Sequence, residues 1–116
     1  MKLGLGAFGL AALLAAAPAQ ADEALVAVAA NFAGAVEAIG GASAKDTGHT
    51  IQVTTGATGK LYAQIGEGAP FAILLSADAK TPAKLEEEGN AVARTRFTYA
   101  VGKLSLWSAD SGRIGA

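Results

Sequence analysis

The chain has 116 residues, nine basic and ten acidic side chains, a formal net charge of −1 and no cysteine. That balance lacks the basic excess a nucleic-acid partner requires. Without cysteine there are no disulfides, thiolate metal sites or cysteine nucleophiles. Met1-Lys2 opens the sequence with positive charge, and LGLGAFGLAALLAAA (residues 3–17) is an uncharged apolar run. Pro18-Ala19-Gln20-Ala21 then supplies an A-x-A pattern. This is the order of a secretory signal peptide, residues 1–21, with cleavage expected after Ala21. The apolar run is short for a membrane span of about 20 residues. Cleavage removes one basic residue, Lys2, and no acidic one, and leaves a chain that can form one modest domain.

The first element after the leader is ALVAVAA (residues 24–30), a continuous apolar run of strand length. Its lack of alternation predicts a strand buried on both faces, as in a parallel sheet. Asn31 is placed to cap the helix predicted in FAGAVEAIGGASAKDTG (residues 32–48), with Phe32, Val36 and Ile39 at helical spacing and Gly40-Gly41 weakening its middle. Thr47-Gly48-His49 reads as the exit turn, and IQVTT (residues 51–55) as a second strand. After a glycine-rich loop a short helix is predicted over residues 60–66, then a third strand in FAILLS (residues 71–76). Thr81-Pro82 has the pattern of an N-cap and first turn, with Asp78 as a further capping candidate. The helix it opens ends in the acids Glu86-Glu87-Glu88, expected to be solvated. Two strand-like pieces follow, residues 97–101 and 104–107. Alternating strands and helices predict an α/β fold, a mostly parallel sheet with helices on both faces. The sequence stops at SGRIGA directly after a strand-like run, as expected either of a small domain that ends abruptly or of the front part of a longer protein.

The loop TTGATGK (residues 54–60) invites a nucleotide reading that its spacing refuses. With Gly59-Lys60 as the GK of a Walker loop, the first glycine falls on Thr54 and the magnesium-binding hydroxyl on Leu61. The logic of an anion site survives. Gly56 and Gly59 allow a tight turn, Thr58 is placed to cap the following helix, and the helix start carries about half a positive charge. A second strand-to-helix loop stands at Ala29-Ala30-Asn31-Phe32. Ligands of open α/β sheets bind at the carboxyl ends of the strands, where both loops lie. Each loop alone reads as an ordinary capped turn; facing one crevice, the two make a pocket of donors for a compact oxyanion.

Other candidates are plain. His49 has no His, Cys or carboxylate at ligand spacing and reads as a solvated turn residue, so no metal ligand is expected. Lys60 is expected on the surface, and Tyr62, Tyr99, Phe97 and Trp107 against the sheet. No Ser/His/Asp set or carboxylate pair stands out, so no enzyme is expected. An exported enzyme using the loops as an oxyanion hole is the alternative from another class.

The segments AVAANF (residues 27–32), TGATGKLYAQI (55–65), GAPF (68–71), LSAD (75–78) and RFTYAVGKLSLWSA (96–109) together resemble the periplasmic molybdate-binding proteins of ABC transporters. The resemblance runs in order along residues 27–109. It implies a type II periplasmic binding protein of two lobes that close over molybdate or tungstate, with no cofactor. It also implies a monomer that delivers its ligand to a membrane permease with its ATPase. On that pattern residues 22–104 form the first lobe and 105–116 begin the crossover to a second. The ligand contacts fall on Ala30, Asn31 and Thr58, with Gly56 and Gly59 supporting the loop. Ala30 stands where many members have Ser or Thr and can offer only its N–H. A sulfate- or phosphate-binding protein of the same architecture is the alternative within this class. Since the resemblance places the remaining donors in the second lobe, residues 22–116 alone are expected to bind weakly.

Overall fold

The computed structural model describes residues 22–114; the expected signal peptide, with its cleavage after Ala21, lies outside them. The sheet has three strands: β1 (Glu23–Ala29), β2 (Thr50–Gly56) and β3 (Ile73–Leu75), in the order β2-β1-β3 and all parallel. β1 is central, and its residues from Val26 to Ala29 are buried, as an apolar run without alternation requires.

The helices are α1 (Ala33–Thr47), α2 (Thr58–Gly66) and α3 (Lys80–Glu87). The chain steps from β1 to β2 on one side, then returns past β1 to β3 on the other. Right-handed crossovers in opposite directions put α1 and α2 on opposite faces of the sheet. On one face Val26 and Val28 bury against Val36 of α1, with Phe32, Ile51, Val53 and Leu75 around them. The alternation of β1 turns Ala27 and Ala29 to the other face, where their small side chains let α2 pack against the strand. Leu61 of α2 and Leu85 of α3 are almost fully buried there, each worth roughly 1.5–3 kcal/mol of apolar transfer.

The helix boundaries follow local chemistry. α1 stops at Gly48, whose φ of 75° suits a residue without Cβ and lets its N–H donate to the Ala44 carbonyl at 2.9 Å. The Asp78 carboxylate accepts the Thr81 N–H at 2.7 Å and the Thr81 hydroxyl at 3.2 Å, so Asp78 does the capping and Thr81 is its donor. Pro82 sits in the first turn, where an N–H would have no helical partner.

Three expectations are corrected. Neither Asn31 nor Thr58 caps a helix with its side chain: Ala30–Phe32 form a 3-10 turn leading into α1, and α2 begins at Thr58 itself. Residues 97–101 and 104–107 are not strands. Their composition is strand-like, but a strand exists through its ladder, and no strand among the described residues pairs with them. Consequently Phe97 and Trp107 are 78% and 80% exposed and do not pack on the sheet.

The glycine pair of α1 has two different causes. Gly40 is buried where α1 crosses β2, and a Cβ there would lie 2.6 Å from Ile51 Cδ1 and 2.8 Å from Cγ1. A Cβ on Gly41 would meet nothing within 4 Å. Gly41→Ala should therefore raise stability by about 0.5–1 kcal/mol through helix propensity. Gly40→Ala should lower it by about 1 kcal/mol, because overpacking costs more than propensity returns. Urea unfolding of the two variants beside the parent gives the signs.

Candidate functional site

The register sets the geometry of the carboxyl edge. Ala29 pairs with Gly56 and Val28 with Leu75, so all three strands end at nearly the same level. Three loops leave the sheet side by side: Ala30-Asn31-Phe32, Ala57-Thr58-Gly59 and Ser76-Ala77-Asp78. Ala30, Asn31, Gly56, Thr58 and Gly59 all stand on or beside the first two. Ala30, Asn31 and Gly59 are exposed, and Gly56 and Thr58 half-buried.

The loops present donors. At the start of α2 the Lys60 and Leu61 N–H groups both turn back to the Ala57 carbonyl, at 3.0 and 3.1 Å. Helix geometry leaves the Thr58 and Gly59 N–H groups without an intrahelical acceptor, as it does those of Ala30 and Asn31 at the 3-10 turn. The Thr58 hydroxyl oxygen accepts the Ala77 N–H at 3.2 Å. A hydroxyl whose oxygen is so engaged has its proton to give. Ser76, buried at the end of β3, repeats the arrangement by accepting the Asp78 N–H at 3.2 Å.

Charge follows the same plan. None of the three helices has an acid in its first turn, while Lys60 and Lys80 stand near the starts of α2 and α3. Among the described ion pairs neither lysine takes part. The one carboxylate on the three loops, Asp78, is engaged by α3. The edge is thus positive in potential and almost free of anionic acceptors. Among the described residues no three His, Asp or Glu side chains gather as a cation site needs, and His49 Nδ1 accepts the Asp22 N–H at 3.3 Å. A shallow hollow of about 180 Å³ between α2 and α3 touches this edge only through Gly59. Beside it Tyr62 carries Lys84 over its ring at 4.7 Å and donates to Glu88.

One participant carries no signal in the loops themselves. Tyr99, from the extended segment after α3, donates its hydroxyl to the Ser76 carbonyl at 2.7 Å and stacks tilted on Phe32 at 4.9 Å. The sequence places Tyr99 only on an apolar alternation, and its target is a backbone carbonyl, to which no side-chain motif points. Desolvation of the phenol at this contact holds its pKa above the ordinary value.

Open parallel α/β sheets bind ligands at the carboxyl ends of their strands, which is the edge where these donor-bearing loops gather. Over residues 24–114 the chain matches the family described as bacterial extracellular solute-binding protein, and it belongs to that family. It is 54% identical over 105 residues to the molybdate-binding protein ModA of Azotobacter vinelandii, covering 90% of this chain and 42% of that one. It is 51% identical over 110 residues to the protein of the same name from Rhodobacter capsulatus, covering 94% and 44%. The chain thus spans less than half the length of these relatives. In structure it is similar to the Azotobacter vinelandii periplasmic molybdate-binding protein, with a TM-score of 0.67 and 46% identity over 69% of this chain and 35% of that one.

The Tyr99 shift has a defined sign. Above pH 10 the unfolded chain loses the phenolic proton first, so the folded state binds more protons and stability falls as pH rises. The stability gap between the protein and its Tyr99→Phe variant should be constant from neutral pH to about 10. It should narrow as pH climbs through the raised pKa of Tyr99, as urea unfolding across that range will read.

Proposed function

We propose that the protein is the periplasmic substrate-binding component of an ABC importer, carrying molybdate or tungstate to a membrane permease and its ATPase. The observation that carries this is Thr58: its oxygen accepts the Ala77 N–H at a helix start, on a loop beside Ala30-Asn31, and among the described residues no side-chain hydrogen bond takes its proton. That geometry supports a site for a fully deprotonated tetrahedral dianion. The names of the relatives, at 51–54% identity, support molybdate as the ion and binding, not catalysis, as the task.

On this reading Ala30 gives its N–H, Asn31 its N–H and side-chain amide, and Thr58 its N–H and hydroxyl, while Gly56 and Gly59 let the loop approach the ion. Residues 22–104 are the first lobe and 105–116 open the crossover. The greater length of the relatives suits a second lobe that supplies the remaining donors. Closure of the lobes over the ion would be the state the permease reads, a shift between open and closed populations. The export expected from the leader fits the periplasmic setting, and a monomer suffices for the scheme.

Selectivity follows from the donors. Monoprotonated phosphate would press its own O–H against an N–H or hydroxyl donor, leaving buried hydrogen-bonding groups unmatched. Sulfate has the charge of molybdate but is smaller, so it leaves the same donors at longer distance. Calorimetric titration of the full-length protein should show molybdate and tungstate binding at least about tenfold more tightly than sulfate, a gap of about 1.4 kcal/mol. Equal affinity for sulfate would overturn the assignment. Thr58→Ala should weaken molybdate binding by about 10- to 100-fold, the scale of one hydrogen bond to a charged group, and Thr58→Ser should restore most of it. Asn31→Asp, which sets a carboxylate against the dianion, should abolish binding in the same titration.

A further inference from the structure

We infer that Tyr99 is a positioning residue for the oxyanion site, holding all three loops of the carboxyl edge in one arrangement; this rests on the function proposed above. Its hydroxyl donates to the Ser76 carbonyl and its ring lies on Phe32, the residue after Asn31. Ser76 is in turn followed by Ala77, whose N–H occupies the Thr58 hydroxyl oxygen. A path of direct contacts therefore runs from Tyr99 through the third loop to the ligand-facing hydroxyl of the second. A shorter path runs through Phe32 to Asn31 on the first.

The Ser76 end of this path is well fixed. Ser76 is 93% buried by its own exposure of 7%, and its hydroxyl oxygen accepts the Asp78 N–H, so the loop has little freedom to follow a carbonyl that moves. Losing the Tyr99 hydroxyl leaves the Ser76 carbonyl without that donor, and a carbonyl so freed turns toward water. The peptide whose carbonyl belongs to Ser76 is the peptide whose N–H belongs to Ala77. Rotating it therefore aims the Ala77 N–H away from Thr58, and the Thr58 hydroxyl loses the bond that directs its proton outward. One amide plane joins the Tyr99 bond to the Thr58 bond.

Tyr99 also marks where the lobe lets go of the chain. Before it, Arg96 is bonded to Glu86 of α3 through its N–H and guanidinium, at 3.3 and 3.4 Å. After it, Val101, Leu104, Leu106 and Trp107 are all more than four-fifths exposed or close to it. Among the described residues, the last side chain of this segment bonded back to the loops of the carboxyl edge is the one that orders the site, so site geometry and the placement of the segment are linked through one residue.

The test is Tyr99→Phe in the full-length protein, with Gly40→Ala as a control for lost stability at the far side of α1. Two readouts are taken below the unfolding range of every variant: molybdate affinity by calorimetry, and amide exchange at Ala77 without ligand. Tyr99→Phe should weaken molybdate binding by about three- to tenfold and speed Ala77 exchange by about as much, the scale of one neutral hydrogen bond. Gly40→Ala should leave both within about twofold of the parent, well under the factor a hydrogen bond carries. Affinity and exchange that stay at parental values in Tyr99→Phe would overturn the inference, as would equal losses in the control. If the parent binds no molybdate, the function proposed above fails, and Ala77 exchange alone decides whether Tyr99 orders the loop.

Discussion

The arrangement depends on the parallel pairing of β1 with both neighbours in a level register. Because Ala29 faces Gly56 and Val28 faces Leu75, the three strands end together and their loops emerge on one edge. A slip of one residue would exchange the faces of a strand, sending Val26 and Val28 away from Val36 and presenting Ala27 and Ala29 in their place. The core thus fixes the register, and the register fixes the site. The alanines matter as much as the valines: Ala27 and Ala29 are what allow α2, and with it Thr58, to lie close against the central strand.

Charge placement at the helix starts runs against helix stability and with the site, while Lys45 and Lys84 in the last turns of α1 and α3 follow the usual preference. Acids are favoured in first turns and bases in last turns. Here the first turns carry no acid, two lysines stand near the starts of α2 and α3, and Glu86, Glu87 and Glu88 gather at the far end of α3. Each inversion costs a few tenths of a kcal/mol up to about 1. The return is an edge whose dipoles, N–H groups and lysines all favour a dianion, although the whole chain carries a net charge of −1.

What the sequence made legible were the features set by local pattern. The unbroken apolar run 24–30 announced a central parallel strand, and the step from strand to helix around Thr58 was announced as well, although Gly56 ends the strand and Gly59 lies in the helix, neither with a positive φ. Hidden were the contacts that depend on which loops become neighbours. Thr58 in a strand-to-helix turn reads as a cap, yet its oxygen is taken by Ala77, nineteen residues away, on a loop brought alongside by the return crossover. Asn31 reads as a cap as well, but a 3-10 turn intervenes and its side chain remains exposed. The run 97–107 has the alternation of a strand, and alternation reports a preference for pairing without supplying the partner. Tyr99 was visible only as one more apolar residue in that run.

The Thr58 result bears on how a site made of neutral groups can discriminate. A free hydroxyl rotates, and it can meet an acceptor with its proton or a donor with its lone pair. Once Ala77 engages the oxygen, the choice narrows, and the group that faces the loop edge is a donor. Ala30 has no side-chain hydrogen-bonding group at all, so on the first loop only the Asn31 amide can turn either face to a ligand. Loops whose N–H groups and Thr58 proton are turned outward favour an ion that can only accept protons, and this distinction holds without any fixed positive charge in contact with the ligand. On the function proposed above, binding rests on the sum of several modest bonds, each of which can be broken in turn.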